Sequence, residues 1–418
     1  MRMKNALAYA ALAILCVAVY SSVLSYPFVF DDGMYITGNA AIRDLSGFWP
    51  PMGTRYFGYL SFALNYSIGG LDPKGYHAVN ILIHIVNSVL VFRLVSLTFK
   101  TPFMEPSGLN DKDGAAFGAA LVSSVLFAIH PVQTQAVTYT TQRFASLATL
   151  FFLLSLVLYA SQRIGAEGGR KGYVKYALAL ASAIAAQMTK EIAFTLPTVV
   201  VLYEAAFFSG GLRKRALFAA PFLAVMLIIP FTLLVYAGPD HGVSELIREK
   251  QVQELSDLSP YQYLSTQFRV VVTYLRLVIL PVGQNLDYDY PKFTSVLQPG
   301  SLLSLVFLLS FAAVSVLAYA RTRMGRAPLV ALSAAGVFWF FITLSIESSV
   351  IPIQDVIFEH RLYLPSIGLF VSFGAFVICL FEYFKRRSGV KASASVFAVA
   401  AAIVLAVPYG AAAYKRNL

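Results

Sequence analysis

The chain has 418 residues, of which 58% are hydrophobic, 14% aromatic and only 13% charged, and its mean hydropathy is +0.69. A water-soluble domain carries about 25% charged residues, so this composition excludes soluble, fibrous and disordered proteins. The net charge of +11 does not indicate a nucleic-acid partner, because membrane proteins retain Lys and Arg in their cytoplasmic loops. The two cysteines, Cys16 and Cys379, lie in apolar runs, which argues against a disulfide framework and a cysteine-based metal site.

Apolar runs predict the membrane-spanning helices, each of which needs about 20 residues. Eleven such runs lie at 6–24, 77–99, 115–130, 144–160, 173–188, 192–208, 216–236, 302–320, 327–346, 364–384 and 392–411. The stretch 268–280 is also apolar, but it is shorter and contains Arg269 and Arg276, so we predict an interfacial or re-entrant segment there. The sequence therefore predicts an all-α, polytopic bundle of about 11 transmembrane helices.

Loop charges predict the orientation of this bundle. With the N-terminus inside, the inner segments hold 18 basic residues and four acids, as the positive-inside rule requires. A full crossing at 268–280 would move Arg321, Arg323 and Arg326 outside, which is the main argument against it. The C-terminus is then predicted outside. The first run could be a cleaved signal peptide, but its length favours a signal anchor.

Most polar groups suited to chemistry fall on the predicted outer face. They are Asp31, Asp32, Arg55, His77, Asn80, His84, His130, Gln133, Gln135, Arg143, Lys190, Glu191, His241, Glu359, His360 and Arg361. A transporter is expected to place ionisable groups near the membrane midplane. Clustering at one face is instead typical of a membrane-embedded enzyme that works there.

Each of these groups also has a simpler interpretation. The Asp31–Asp32 pair could be a solvated loop or a helix cap, although the preceding aromatic residues would hold it near the interface, where a partly desolvated carboxylate is a stronger base. Arg143 could extend its charge toward the interface, and Lys190 and Glu191 could form a local ion pair.

Two further patterns carry weaker signals. His77, Asn80 and His84 share one stripe of a helix, where a buried histidine is more often a packing element than a metal ligand. The triplet 287–289 matches the Asp-x-Asp metal motif of soluble sugar-nucleotide transferases, but such short matches are common. No phosphate-binding loop, zinc spacing, nucleophile elbow or kinase signature is present. The outer face holds two acids and several cations, and most of the remaining protein faces lipid. This combination suits a lipid substrate with an anionic head group.

Five segments in chain order carry a family resemblance. They are 29–32 with Ile36 and Asn39, 71–80 with His84, 127–143, 190–193 and 359–366. Together they resemble the membrane half of the TMTC family, whose animal members are protein O-mannosyltransferases. The likeness covers most of the chain.

The resemblance implies a GT-C glycosyltransferase fold that uses a polyprenyl-phosphate sugar donor and transfers the sugar to a protein Ser or Thr hydroxyl with inversion. We expect a single integral-membrane domain over 1–418. The predicted crossings place one outer loop at 25–76, which carries the acidic pair, and a second at 237–301, which forms interfacial helices or, alternatively, a lid. Asp31 is the expected catalytic base, with Asp32 as the alternative. Donor-phosphate contacts are expected from Arg143, Lys190 and Arg361, and sugar or acceptor contacts from Arg55, His77, His130, Glu191 and His360. No cofactor is required, although a divalent metal stays possible.

Departures from the family pattern leave parts of the function open. Tyr56 after Arg55, and Gln135, look bacterial, which predicts a bacterial inner membrane with a periplasmic active site and leaves the sugar undecided. Relatives continue beyond a pair like Arg416–Asn417 into tetratricopeptide repeats, so a separate repeat partner or a truncated chain is expected. Alternatives are a glycan ligase or polymerase, a transporter or flippase of lipid-linked sugars, and a non-catalytic membrane anchor.

Overall fold

The computed structural model describes residues 2–105, 109, 111–170, 172–208, 210–237, 258–325, 327–353, 355–388 and 392–418. His241 and the rest of 238–257 lie outside this range. The described residues form helices and short helical turns, with no β-strand among them. The α-helices are α1 Arg2–Tyr20, α2 Tyr56–Gly69, α3 Pro73–Thr98, α4 Lys112–Ile129, α5 Thr134–Thr138, α6 Arg143–Glu167, α7 Tyr173–Gln187, α8 Leu196–Phe207, α9 Leu212–Val225, α10 Ile228–Ala237, α11 Pro260–Ile279, α12 Pro299–Gly325, α13 Pro328–Leu344, α14 Pro365–Ser388 and α15 Ala394–Arg416.

Eight helical segments of the described residues are long and apolar enough to cross a membrane, so the chain is a multi-pass, all-α membrane protein. Each of the 11 predicted runs falls on a helix, and the run 216–236 covers α9 and α10 with a turn between them. Three runs form helices of 15, 12 and 17 residues, namely α7, α8 and α13. The count of 11 crossings and the orientation therefore stay predictions.

Side-chain caps fix where several helices begin. Asp72 accepts a hydrogen bond from the Lys74 amide at 3.1 Å, and Pro73 occupies the first turn of α3. Asp111 caps α4 by accepting from the Gly114 amide at 2.9 Å. Both caps satisfy amide groups that a helix start leaves without partners, so the acids before these two apolar runs fix where the helices begin.

The core of the bundle is built from α3, α4, α6 and α14, and α15 packs on α4. Small residues allow the closest approaches. A Cβ added to Gly336 on α13 would lie 2.2 Å from the Gly368 carbonyl oxygen on α14, and a Cβ on Gly368 would lie 2.2 Å from the Gly336 carbonyl oxygen. Small residues at helix interfaces let backbones pack tightly where lipid supplies no hydrophobic driving force.

Replacing Gly336 with Val is expected to destabilise the protein by about 1–3 kcal/mol, because the new side chain must push two backbones apart. The measurement is the thermal unfolding midpoint of purified protein in detergent. Gly69→Val is the matched control, since a Cβ at Gly69 meets no atom within 4 Å. Equal midpoints for the two variants would contradict the proposed close contact.

The predicted first outer loop, 25–76, is largely helical. It contains the short turns Gly33–Thr37, Ala40–Arg43 and Leu45–Phe48, followed by α2. A small apolar cluster holds it together, formed by Ile36, Ile42, Phe62, Ala63, Tyr76 and Phe144. Because Phe144 belongs to α6, this cluster seats the loop on the bundle.

The predicted interfacial segment 268–280 is part of a longer helix, α11, which has 20 residues and begins with a capping box at Ser259. α11 is not among the helices apolar enough to span a membrane. Its buried face holds the segment that follows α13. Tyr263 donates to the Glu347 carbonyl oxygen at 2.9 Å, and Gln267 donates to the Val356 carbonyl oxygen at 2.8 Å. This helix therefore positions the segment that leads into residues 359–361.

Candidate active site

The segments that carry the predicted site residues meet at one end of the bundle, which we call the site end. α1 and α15 end there, and α3 and α6 begin there. Arg416 donates a hydrogen bond to the Pro131 carbonyl oxygen at 2.9 Å, and the Asn417 side chain donates to the Val19 carbonyl oxygen at 2.9 Å. Tertiary contacts thus join the chain end to the turn that precedes α5.

Asp32 anchors the first loop to the turn before α6. Its side chain is fully buried and accepts hydrogen bonds from the Thr141 amide at 2.7 Å, the Thr141 hydroxyl, and the Val29 amide at 3.1 Å. Burial raises the pKa of Asp32, and the hydrogen bonds from Thr141 and Val29 oppose that rise. A carboxylate held on three donors is suited to fixing the backbone.

The neighbouring Asp31, unlike the buried Asp32, lies at the surface. It is exposed, and its main-chain N–H donates to the Tyr139 hydroxyl at 2.9 Å. The preceding residue, Phe30, has φ of 48°, a left-handed conformation that is strained for a bulky side chain. Because Asp32 and Tyr139 clamp both sides of this turn, the Asp31 carboxylate is presented at the surface of the site end.

Three cations act electrostatically on His360. Burial lowers the pKa of His360 well below its ordinary value, and the positive charges of Lys190, Arg361 and Arg55 lower it further. These three residues come from the turn after α7, the turn before α14 and the turn before α2. The fold therefore brings together four of the predicted site residues that are far apart in sequence.

His360 itself has an unusual environment. Its ring stacks on Phe358 with centroids 5.0 Å apart, and its main-chain N–H donates to Gln135 Oε1 at 2.6 Å. Within the described residues, its buried Nδ1 has no hydrogen-bond partner. A buried polar atom without a partner costs free energy, so this atom is a candidate ligand contact.

Lys190 and Glu191 are adjacent in sequence but bind different partners. Lys190 Nζ lies 3.0 Å from Glu347 Oε1, with both side chains about 10% exposed (11% and 10%). Arg55 Nε lies 3.7 Å from Glu191 Oε1, and the charge of Glu191 raises the pKa of Arg55 against the effect of burial. The structure thus shows two tertiary ion pairs in place of the local Lys190–Glu191 pair that adjacency allowed.

Acids face these cations. Burial raises the pKa of Asp355, the charge of Arg361 lowers it, and the charges of Asp287 and Asp31 raise it. Asp31 and Arg361 therefore act on the same carboxyl group. The main contacts of Arg361 are with main-chain oxygens, including that of Asp355 at 2.8 Å. Within the described residues, no carboxylate lies within ion-pair distance of Arg361.

A cavity of about 810 Å³ adjoins this group of charges. It lies between the first loop and α10, and its lining includes Trp49, Arg55, Tyr56, Tyr59 and Thr232. Arg55 lines the cavity and also acts electrostatically on His360, so the cavity contains one of the three cations.

Arg143, the predicted phosphate contact, makes its hydrogen bonds within the bundle. Its guanidinium group is fully buried and donates to Asn80 Oδ1 at 2.7 Å, Asn65 Oδ1 at 2.6 Å and the Tyr76 carbonyl oxygen at 2.8 Å. It also lies over the Phe62 ring at 4.6 Å. Because neutral oxygens occupy these donors, we assign Arg143 to joining α2, α3 and α6.

His77 and His130, both expected to contact the sugar or acceptor, are bound within the fold. His77 Nε2 lies 3.2 Å from the Tyr26 carbonyl oxygen. His130 Nδ1 accepts from the Val132 amide at 3.1 Å, and its Nε2 lies 3.0 Å from the Val278 carbonyl oxygen. Burial lowers the pKa of His130 to about 3. The neutral His130 ring thus ties α11 to the turn after α4.

Several residues at the site end were given no site role by the sequence reasoning. Glu359 is fully buried and accepts from Gln284 at 2.7 Å, the Asn285 amide at 3.0 Å, Tyr288 at 2.5 Å, and Arg416. Glu347 and Asp355, described above, were also given no site role. The sequence did contain a signal for these three residues, because they are acidic side chains in an otherwise apolar stretch between the predicted helices 327–346 and 364–384.

The residues described by the structure contain no group of three His, Cys, Asp or Glu side chains placed to hold a metal ion. Asp287, from the weak Asp-x-Asp match, lies close enough to Asp355 for its charge to act there. Its position is thus beside the candidate site.

The chain is similar to protein O-mannosyl-transferases of animals. It is 28% identical to Tmtc2 of Drosophila melanogaster over 306 residues, which cover 68% of this chain and 31% of the relative. It is 30% identical to Tmtc3 of Drosophila melanogaster over 227 residues, 48% of this chain and 24% of the relative. Against TMTC4 of Mus musculus, identity is 34% over 162 residues, 35% of this chain and 22% of the relative.

The chain spans less than a third of the length of each of these relatives. No family model matches it, and no solved structure matches it. The resemblance to the TMTC family is thus confirmed as a distant similarity.

Proposed function

We propose that this protein is a membrane glycosyltransferase that moves a sugar from a polyprenyl-phosphate donor to a Ser or Thr hydroxyl of a protein, with mannose as the first sugar to test. The observation that carries the proposal is the group of cations around His360 at the same end as the exposed Asp31. The names of the relatives support sugar transfer to protein.

In this proposal Asp31 orients the acceptor hydroxyl and takes its proton as the new glycosidic bond forms. An alcohol is a weak nucleophile, so a positioned base contributes strongly to the rate. Exposure lets the Asp31 carboxylate meet an incoming acceptor, whereas the buried Asp32 carboxylate is already occupied by three donors.

The cations stabilise the negative charge of the leaving phosphate. As the bond from the anomeric carbon to the phosphate oxygen breaks, the polyprenyl phosphate leaves with growing negative charge. Lys190 pairs with Glu347, but its ammonium group has three N–H donors and so retains donors for a phosphate. Arg361 is buried and has no carboxylate partner among the described residues. Fixed cations are most effective where water is excluded. A divalent ion is compatible with this scheme but is not required by it.

His360 and the adjoining cavity complete the proposed site. His360 would contact the sugar through its ring, since its Nδ1 has no partner among the described side chains. The cavity beside Arg55 would hold the sugar and the first part of the prenyl chain. Glu191 would keep Arg55 in place.

The test is transfer by purified protein in liposomes, with polyprenyl-phosphate mannose as donor and Ser/Thr-containing polypeptides as acceptors. We expect donor-dependent glycosylation and inversion at the anomeric carbon, because attack occurs opposite the phosphate. Lipid-linked oligosaccharides serve as competing acceptors and distinguish a ligase. Retention of configuration, or donor translocation without transfer, would contradict the proposal.

The proposed location follows the sequence prediction of an inner bacterial membrane, with the site end facing the periplasm. A tetratricopeptide-type protein is proposed as a partner that presents the acceptor.

A further inference from the structure

A second group of cations lies at the end of the bundle opposite the site end. Two adjoining clefts open there, where α3 ends and α4 and α7 begin. The first has a volume of about 150 Å³ and is lined by Arg93, Lys100 and Lys112, together with Asn5 and Ser96. The second has a volume of about 580 Å³ and adds Arg170 and Lys175. Lys100 lines both clefts.

These clefts are remote from the proposed catalytic residues. The chain runs through α3 from Tyr76 at the site end to Lys100 just beyond its last turn. At 1.5 Å per residue, this separation is about 36 Å. The cations of the clefts therefore need an explanation other than binding the sugar donor at the site end.

Among the residues that the structure describes, few acids lie beside the cations of the clefts. Asp113 is the one acid that lines them, and it forms no ion pair of 4 Å or less with Arg93, Lys100 or Lys112 in the described residues. Other cations at this end behave differently. Arg163 Nε lies 2.8 Å from Glu204 Oε1, and Lys214 Nζ lies 3.0 Å from Glu167 Oε1.

Arg93 places one of these cations within a membrane-spanning helix. Arg93 is exposed on the side of a membrane-spanning helix that ends at Thr98, so its Cα lies about 7.5 Å inside that end. A charged side chain at such a depth requires a counter-charge or access to water. Tyr173 and Val174, both 74% exposed, provide apolar surface beside the second cleft. Apolar surface next to unpaired cations fits a phosphate that is attached to acyl chains.

We propose that these clefts bind the phosphate head group of an anionic phospholipid at the end of the bundle opposite the candidate active site. Lys100 is placed to contact the phosphate from either cleft, and Arg93 and Lys112 complete the first. The acyl chains would lie along the apolar surface of the neighbouring helices. Basic pockets between membrane helices are suited to anionic head groups. The proposal is independent of the reaction at the site end.

The experiment is native mass spectrometry of the purified protein in detergent, titrated with phosphatidylglycerol or with phosphatidylcholine. The parent protein is expected to retain phosphatidylglycerol and not phosphatidylcholine. The triple variant Arg93→Gln, Lys100→Gln, Lys112→Gln is expected to bind phosphatidylglycerol at least about tenfold more weakly, since each cation near an anionic lipid contributes to affinity.

The matched control is Arg213→Gln, Arg321→Gln, Arg387→Gln, which removes three exposed cations at the same end that line neither cleft. It should bind phosphatidylglycerol like the parent. Equal loss in both triple variants would overturn the proposal, as would full retention by the cleft variant. Inorganic phosphate is titrated separately, and binding as tight as that of phosphatidylglycerol would overturn the assignment to a lipid. If the triple variant does not fold, Lys100→Gln alone is expected to weaken binding.

Discussion

Asp31→Asn is expected to reduce sugar transfer by about 10²–10⁴-fold, the usual contribution of a positioned general base. An amide cannot take the proton of the acceptor hydroxyl, while its size and shape preserve the loop. The measurement is the initial rate with labelled polyprenyl-phosphate sugar at saturating donor and acceptor. Because Asp31 is exposed, the thermal unfolding midpoint should stay close to that of the parent.

Asp32→Asn provides the informative comparison. The Asp32 carboxylate accepts from two main-chain amides and one hydroxyl, and an Asn side chain has only one accepting oxygen. Losing an acceptor for a buried N–H costs about 1–3 kcal/mol, so this variant should lose stability as well as activity. Glu105→Gln, which replaces an exposed acid at the opposite end of the bundle, should change neither property. Activity retained by Asp31→Asn but lost by a stable Asp32→Asn would reverse the assignment of the base.

Lys190→Gln is expected to reduce transfer by about 10²–10³-fold, because a fixed cation is lost where the leaving phosphate develops its charge. This variant alone also leaves the nearly buried Glu347 carboxylate without its partner, so lower stability could contribute to the loss. Activity and the thermal midpoint must therefore be measured together, with donor concentration varied.

The double variant Lys190→Gln, Glu347→Gln separates these two effects. Two amides can replace the ion pair by a hydrogen bond, so the thermal midpoint should recover toward that of the parent. Activity should not recover, because the cation is still missing. Recovery of both properties would mean that Lys190 serves only to hold Glu347, and the proposed phosphate site would then rest on Arg361.

The sequence predicted the helices well because their cause is local. An apolar run of sufficient length favours a helix in lipid, where every main-chain polar group must be bonded within the segment. Each predicted run therefore lies on a helix. The segment 268–280 was less well predicted, because α11 is amphipathic and its polar residues conceal its first turns. Those polar residues, such as Gln267, find partners only in the folded protein.

The sequence predicted the candidate site less well than it predicted the helices. The sequence alone determined that the chain is a membrane bundle and that its acids, histidines and several cations gather in segments between helices. The tertiary structure decided which member of each cluster is enclosed. It buries Asp32 and exposes Asp31, surrounds Arg143 with neutral oxygens, and pairs Lys190 with Glu347. Residue type and spacing set where a helix forms, but the partners of a side chain depend on packing between segments that are distant along the chain.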